Sequence, residues 1–348
     1  MKRTTLAVLA LLLFVSCASV LAGASYTVRD TLGRVLTFDA VPERIVIAGR
    51  GSLLLTDALY LFPGVGPRVV GVGGTDQGQG DFYPLLDRSY ADKTRFANSV
   101  GPEAVAAVRP DLVLLKSYLK EGLGRALETL GIPVFYLDLE SPEKFYSDVR
   151  ALGDLLQEAE RAQSLVDWYR TRVGAIELVV SAAARPTALV VSYSRTGEAA
   201  SFSVPPAGWL QTEMVEQAGG TPVWKNIGLG NGWMKVNVEQ LALWNPQYVL
   251  LVSYGAPATG VVKSLGAESI WKGKVLPFPA DFYSWDQPDT RWILGLEWVA
   301  AALHPELFQG FDLRREVTSF YRELYGIDEA TIEVEILPLL AEILGKSE

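Results

Sequence analysis

The chain offers little material for catalysis. It holds one cysteine, Cys17, and one histidine, His304. Ser-His-Asp or Cys-His nucleophilic catalysis, cysteine zinc sites and a disulfide framework all need more than that. No nucleophile elbow, metal triad or phosphate loop is present. Gly49-Arg50-Gly51-Ser52-Leu53-Leu54 imitates a dinucleotide fingerprint, but Leu54 stands where the third glycine belongs. The chain therefore carries no candidate catalytic or metal-ligating residue, and the chemistry to expect is recognition.

Residues suited to recognition cluster after apolar runs. Arg50 follows the first such run and opens a helical stretch, where free N–H groups favour anions. The loop Gly73–Gly80, with Gln77, follows the second. Tyr193, Trp233, Tyr254, Tyr283 and Trp285 form an aromatic set on loops of the second half. Aromatics more often fill a core than a ligand platform, but neighbouring Gly, Ser and Asn single out Trp233 and Trp285. Asp286 and Arg291 read as a structural pair capping the next helix, and His304, before Pro305, as structural.

The elements that must position these residues alternate. Arg44–Ala48, Val69–Val72, Leu112–Leu115 and Pro133–Leu137 read as strands, as do Thr187–Val191, Tyr248–Val252 and Lys274–Leu276. Continuous apolar strands separated by helices imply mostly parallel sheets covered on both faces. From Ser141-Pro142 apolar residues recur every three or four positions up to Val180, with no proline before Pro186. Read as one helix over 142–181, this is a rod of roughly 60 Å bridging two lobes. The expected fold class is α/β, with two similar Rossmann-like lobes joined by a single long helix. The lobes span 25–141 and 182–325, and 326–348 is an acidic tail with an apolar patch from Ile336 to Leu344.

An internal repeat supports this. Residues 103–118 and 239–254 align without a gap at an offset of 136, with eight of 16 positions identical. Each reads as short helix, proline turn and buried strand ending in Ser-Tyr. Ligands of open parallel sheets bind beyond the carboxyl ends of strands. Ser117-Tyr118 and Ser253-Tyr254 should therefore face one cleft from opposite sides.

Lys2 and Arg3, the apolar run Leu6–Val15 and the small residues after it have the layout of a signal peptide over 1–24, cut after Ala22-Gly23-Ala24. A cut before Cys17, giving a lipid-anchored chain, is the alternative. A formal net charge of -9 argues against nucleic-acid binding.

With these motifs in hand, the chain resembles the substrate-binding proteins of bacterial ABC importers for iron-siderophore complexes, haem and cobalamin. The matching stretches are Asp30–Val35, Pro42–Val46, Ser99–Leu115, Leu152–Ala162, Val238–Leu251 and Arg291–Phe308. The resemblance implies export to the periplasm and capture of a small-molecule metal chelate between the lobes. It further implies delivery to an ABC importer permease at the membrane, no cofactor, no turnover and a monomer. A branch of the family carries oxyanions such as molybdate or tungstate; an exported α/β enzyme is the reading from another class. In the cobalamin-binding branch the Trp of a Trp-x-x-x-x-x-Glu-Gln motif stands at the cleft, and Trp233–Gln240 matches it. Ferric-siderophore binders place arginines there, for which Arg50, Arg195 and Arg291 are the candidates. Glutamates at the positions of Glu103 and Glu239, one per lobe, dock onto permease arginines in that branch.

Overall fold

Two sheets, each flanked by helices, account for the apolar runs. The computed structural model describes residues 25–74, 80–196, 199–227, 230, 232–265 and 271–345. The leader with Cys17, and Gln77, lie outside the described residues.

An antiparallel hairpin, β1 (Tyr26–Arg29) and β2 (Val35–Phe38), opens the first lobe. Then come β3 (Ile45–Ile47), α1 (Ser52–Leu59), β4 (Val69–Gly73), β5 (Thr94–Phe96), α2 (Pro102–Ala107), β6 (Leu112–Lys116), α3 (Arg125–Thr129) and β7 (Val134–Leu137). The sheet order is β5-β4-β3-β6-β7 and every pairing is parallel. β3, β6 and β7 are buried at every position, as two-sided coverage requires. Strand order reverses between β3 and β6, which creates a crevice at their carboxyl ends.

The rod expected over 142–181 does not form. α4 (Pro142–Leu156) starts as read, with Pro142 in its first turn and Ser141 accepting from the Lys144 N–H at 3.4 Å. It ends at Gln157, whose φ of 59° is left-handed, and α5 (Ala159–Val180) runs back along it. The rings of Phe145 and Tyr169 lie 4.8 Å apart, and Arg150 Nε donates to Gln163 Oε1 at 3.1 Å. A Cβ on Gly153 would fall 2.3 Å from that of Ala162, so glycine lets the two helices close at the turn. The connecting helix is thus α5 alone, 22 residues and roughly 33 Å long.

The second lobe holds β8 (Thr187–Thr196), β9 (Ala199–Val204), α6 (Leu210–Gln217), β10 (Thr221–Pro222), β11 (Met234–Val236), α7 (Val238–Trp244) and β12 (Tyr248–Val252). It continues through α8 (Ala258–Leu265), β13 (Lys274–Pro277), α9 (Trp292–Leu303) and α10 (Leu313–Tyr325). Its sheet order is β11-β9-β8-β12-β13, with β10 beside β8. β8, β12 and β13 are parallel; β9 and β11 add an antiparallel edge. After Gly326 the tail folds onto this lobe and buries Ile332, Ile336, Leu337 and Leu340.

One buried cluster runs through both lobes, from Ile45 and Leu114 through Tyr169 to Val190, Leu250 and Ile336. Among the described residues no helix is long and apolar enough to cross a membrane.

Candidate functional site

The two copies of the repeat fold alike: α2 leads into β6 and α7 into β12, and each strand lies beside the first parallel strand of its sheet. Ser117-Tyr118 and Ser253-Tyr254 stand just beyond the carboxyl ends of β6 and β12.

On the first lobe, Gly49 and Gly51 flank Arg50 with φ of 76° and 79°. The Tyr118 hydroxyl donates to the Arg50 carbonyl at 2.8 Å. A Cβ on Gly51 would meet that hydroxyl at 2.8 Å and Lys116 Cγ at 3.1 Å, so the turn accepts only glycine. Arg50 is exposed and Ser117 partly so. Desolvation of the Tyr118 hydroxyl, with Glu140 nearby, pushes its pKa up to about 12. Beneath, the buried Lys116 pairs with Glu140 Oε1 at 2.7 Å and donates to the Asp138 carbonyl. Sequence reasoning passed over Lys116; its signal was a lysine closing an otherwise apolar strand.

On the second lobe, Tyr254 donates to Asp286 Oδ2 at 2.6 Å, and Ser284 to Oδ1 at 2.6 Å. Burial pushes the Asp286 carboxyl upward, and burial beside Asp286 holds the Tyr254 phenol well above its usual value. Trp233 is half-buried and meets Tyr254 edge-on at 6.3 Å and Trp209 at 6.5 Å. The Leu210 N–H donates to the Glu140 carbonyl at 2.9 Å, which ties this wall to the first lobe.

A cavity of about 810 Å³ opens at the carboxyl ends of β8, β12 and β13. Tyr193, Arg195, Ser253, Tyr254 and Ser284 line it, with residues of the tail opposite. Of the expected ligand-binding residues it contains Tyr193 and Tyr254. Arg50, Ser117, Tyr118 and Trp233 stand outside its lining.

Two expected contacts are sealed from it. Trp285 is 0% exposed, because Gly295 of α9 lets the helix reach its carbonyl; a Cβ there would sit at 2.4 Å. Tyr283 is 0% exposed and donates to Asp81 Oδ1 at 2.7 Å, in the seam between the lobes.

Arg291 lies in the same seam and is not a cleft arginine. The expected Asp286–Arg291 pair is absent. Arg291 instead meets Asp57 of α1, and its Nε approaches Asp281 Oδ1 at 2.8 Å. Its guanidinium lies 4.6 Å from the Phe82 ring centroid and 4.9 Å from that of Tyr283. Burial raises the Asp57 carboxyl to about 6 despite the pull of Arg291. His304 is buried at the end of α9. Glu103 and Glu239 are exposed, each at the second position of its helix, α2 and α7. Among the described residues no group of three His, Cys, Asp or Glu could hold a metal ion.

Residues 45–272 match the family described as periplasmic binding protein, and the chain belongs to that family. It is a solute-binding protein rather than an enzyme. It is 23% identical to the molybdate-binding protein MolA of Haemophilus influenzae over 254 residues, 66% of this chain and 70% of that one. The fold is shared with a periplasmic solute-binding protein from Veillonella parvula, at a TM-score of 0.71 and 20% identity, covering 90% of this chain and 97% of that one. CeuE of Helicobacter pylori with Ni(II) bound superimposes at a TM-score of 0.69 and 17% identity, over 88% and 98% of the two chains.

Proposed function

We propose that the protein is the exported solute-binding component of an ABC importer. In this reading it captures a metal chelate of the ferric siderophore, haem or cobalamin type and hands it to a membrane permease. The observation that carries the choice of ligand is the cavity of about 810 Å³ beside Tyr193, Arg195 and Tyr254. That is the size of a site for a drug-sized solute. A bare tetrahedral oxyanion needs a small, donor-dense site. Similarity to MolA favours molybdate or a related oxyanion as the second reading.

Tyr193 and Tyr254 would border the ligand, and a chelate large enough to overhang the cavity would also meet Trp233, Tyr118 and Arg50, which stand outside its lining. Glu103 and Glu239, at equivalent helix starts, supply one carboxylate per lobe for permease arginines. Charge-assisted pairs of that kind give docking its register more than its affinity. Export by the leader, soluble or lipid-anchored at Cys17, belongs to the same reading.

Mass spectrometry of ligand retained by gently purified protein, followed by calorimetric titration, tests it. A retained chelate that rebinds one to one is the expected result. Tight binding of molybdate with no chelate binding would replace it with the oxyanion reading.

A further inference from the structure

We infer that residues 338–343 of the C-terminal tail are specificity-determining residues of the ligand cavity, selecting a bulky solute with an apolar edge. This rests on the chelate reading above.

The tail lies beyond the matched span 45–272, yet Pro338, Leu339, Ala341, Glu342 and Ile343 line the cavity opposite Tyr193, Arg195 and Tyr254. It is held there by its own core. Ile332, Ile336, Leu337 and Leu340 are buried, while Arg314 meets Glu333 at 2.6 Å and Arg322 meets Glu329 at 2.7 Å. Leu339 and Ile343, between and beyond the last of these anchors, are only partly buried and face the space the anchors leave. Glu342 reaches Lys263 of α8 at 3.2 Å, and α8 contributes Ala258, Thr259, Gly260, Val261 and Ser264 to the same cavity. That exposed pair marks where the tail meets α8 at the rim of the cavity.

The chemistry of this wall sets what it admits. It presents two aliphatic side chains, an alanine and a proline, while its one carboxylate is tied to Lys263. Apolar surface gains by desolvating an apolar ligand edge.

The test is calorimetric titration of the full mature chain with haemin, cyanocobalamin, ferrichrome and sodium molybdate. Leu339→Trp narrows the cavity and Leu339→Ala widens it. Val334→Trp, at a tail position 69% exposed and outside the lining, is the control. For whichever chelate binds the wild type, Leu339→Trp is expected to weaken binding at least tenfold and Leu339→Ala several-fold, with Val334→Trp within twofold. If a chelate binds and neither Leu339 variant changes its affinity, the tail is a brace and the inference fails while the chelate reading stands. If none of the three chelates binds the wild type, both fail together. Should Leu339→Trp not fold, Leu339→Ala decides.

Discussion

Arg291, just ahead of α9, and Asp57, inside α1, form an ion pair across the two lobes with neither side chain exposed to solvent. Asp281 shares the guanidinium and accepts from the Tyr321 hydroxyl at 2.6 Å, and the Tyr83 hydroxyl donates to Asp57 at 2.6 Å. Removing the arginine leaves buried carboxylates without a cation, the costly half of breaking a buried pair. Arg291→Met should destabilise the protein by about 3–5 kcal/mol in urea unfolding. Arg314→Ala, which breaks an exposed pair with Glu333, should cost less than about 1 kcal/mol. Equal losses would contradict the role given to the seam.

The same seam limits motion between the lobes. Opening them would expose Asp57 and Arg291, so ligand-free and ligand-bound forms should give nearly superimposable X-ray scattering. A marked contraction on ligand binding would mean the seam opens in solution.

Glu297 of α9 gives the fold a pH dependence. Burial raises its carboxyl from 4.5 to about 7, more than Arg172 at 2.6 Å lowers it. Between those values the folded protein keeps a proton that the unfolded chain has released. The stabilisation is complete below the unfolded value and is lost as pH rises through about 7. Between pH 5 and 8 the wild type should lose of order 2 kcal/mol relative to Glu297→Gln. Parallel stability curves for the two proteins would refute this.

Two tryptophans with similar neighbours should behave oppositely. Trp233, half-buried against Tyr254, should when replaced by Ala weaken ligand binding and leave the melting temperature nearly intact. Trp285→Ala opens a hole in the core and should cost about 3–5 kcal/mol. A steep fall in melting temperature for Trp233→Ala with unchanged affinity would move that residue into the core.

That contrast marks how far the sequence could be read. The strands were legible because parallel sheets covered on both faces demand unbroken apolar runs, and Leu112–Leu115 and Tyr248–Val252 are such runs. The repeat was legible because its two copies build the same helix–strand unit. The turn at Gln157 was not. Antiparallel helices each bury an apolar stripe, so the three-to-four periodicity continues through the reversal, and neither proline nor glycine sits at the turn itself. Trp285 and Trp233 share a local signature; what separates them is α9, whose Gly295 closes on the Trp285 carbonyl. Arg291 finds Asp57 across 234 residues, a pairing that no local pattern encodes.

Glu103 and Glu239 admit a test in cells. Both are exposed at matching helix starts, so charge reversal should leave the fold and the ligand site alone. Glu103→Arg combined with Glu239→Arg should abolish uptake while ligand affinity in solution stays within a few-fold. Uptake that survives would leave both residues as ordinary acids at helix N-termini, a role worth about 0.3–1 kcal/mol each.

The reversal at Gln157 also decides what can fold alone. It lays α4 along the connecting helix, and the largest buried cluster takes residues from both sheets, from α5 and from the tail without interruption. Two lobes so alike in plan therefore constitute one cooperative unit. Cutting the chain at residue 141 would strip the first sheet of the helix pair that covers it, and would leave Asp57 without its cation. Duplicate architecture has not conferred autonomy: each lobe completes the interior of the other, and slow hydrogen exchange should be continuous from β3 to β12.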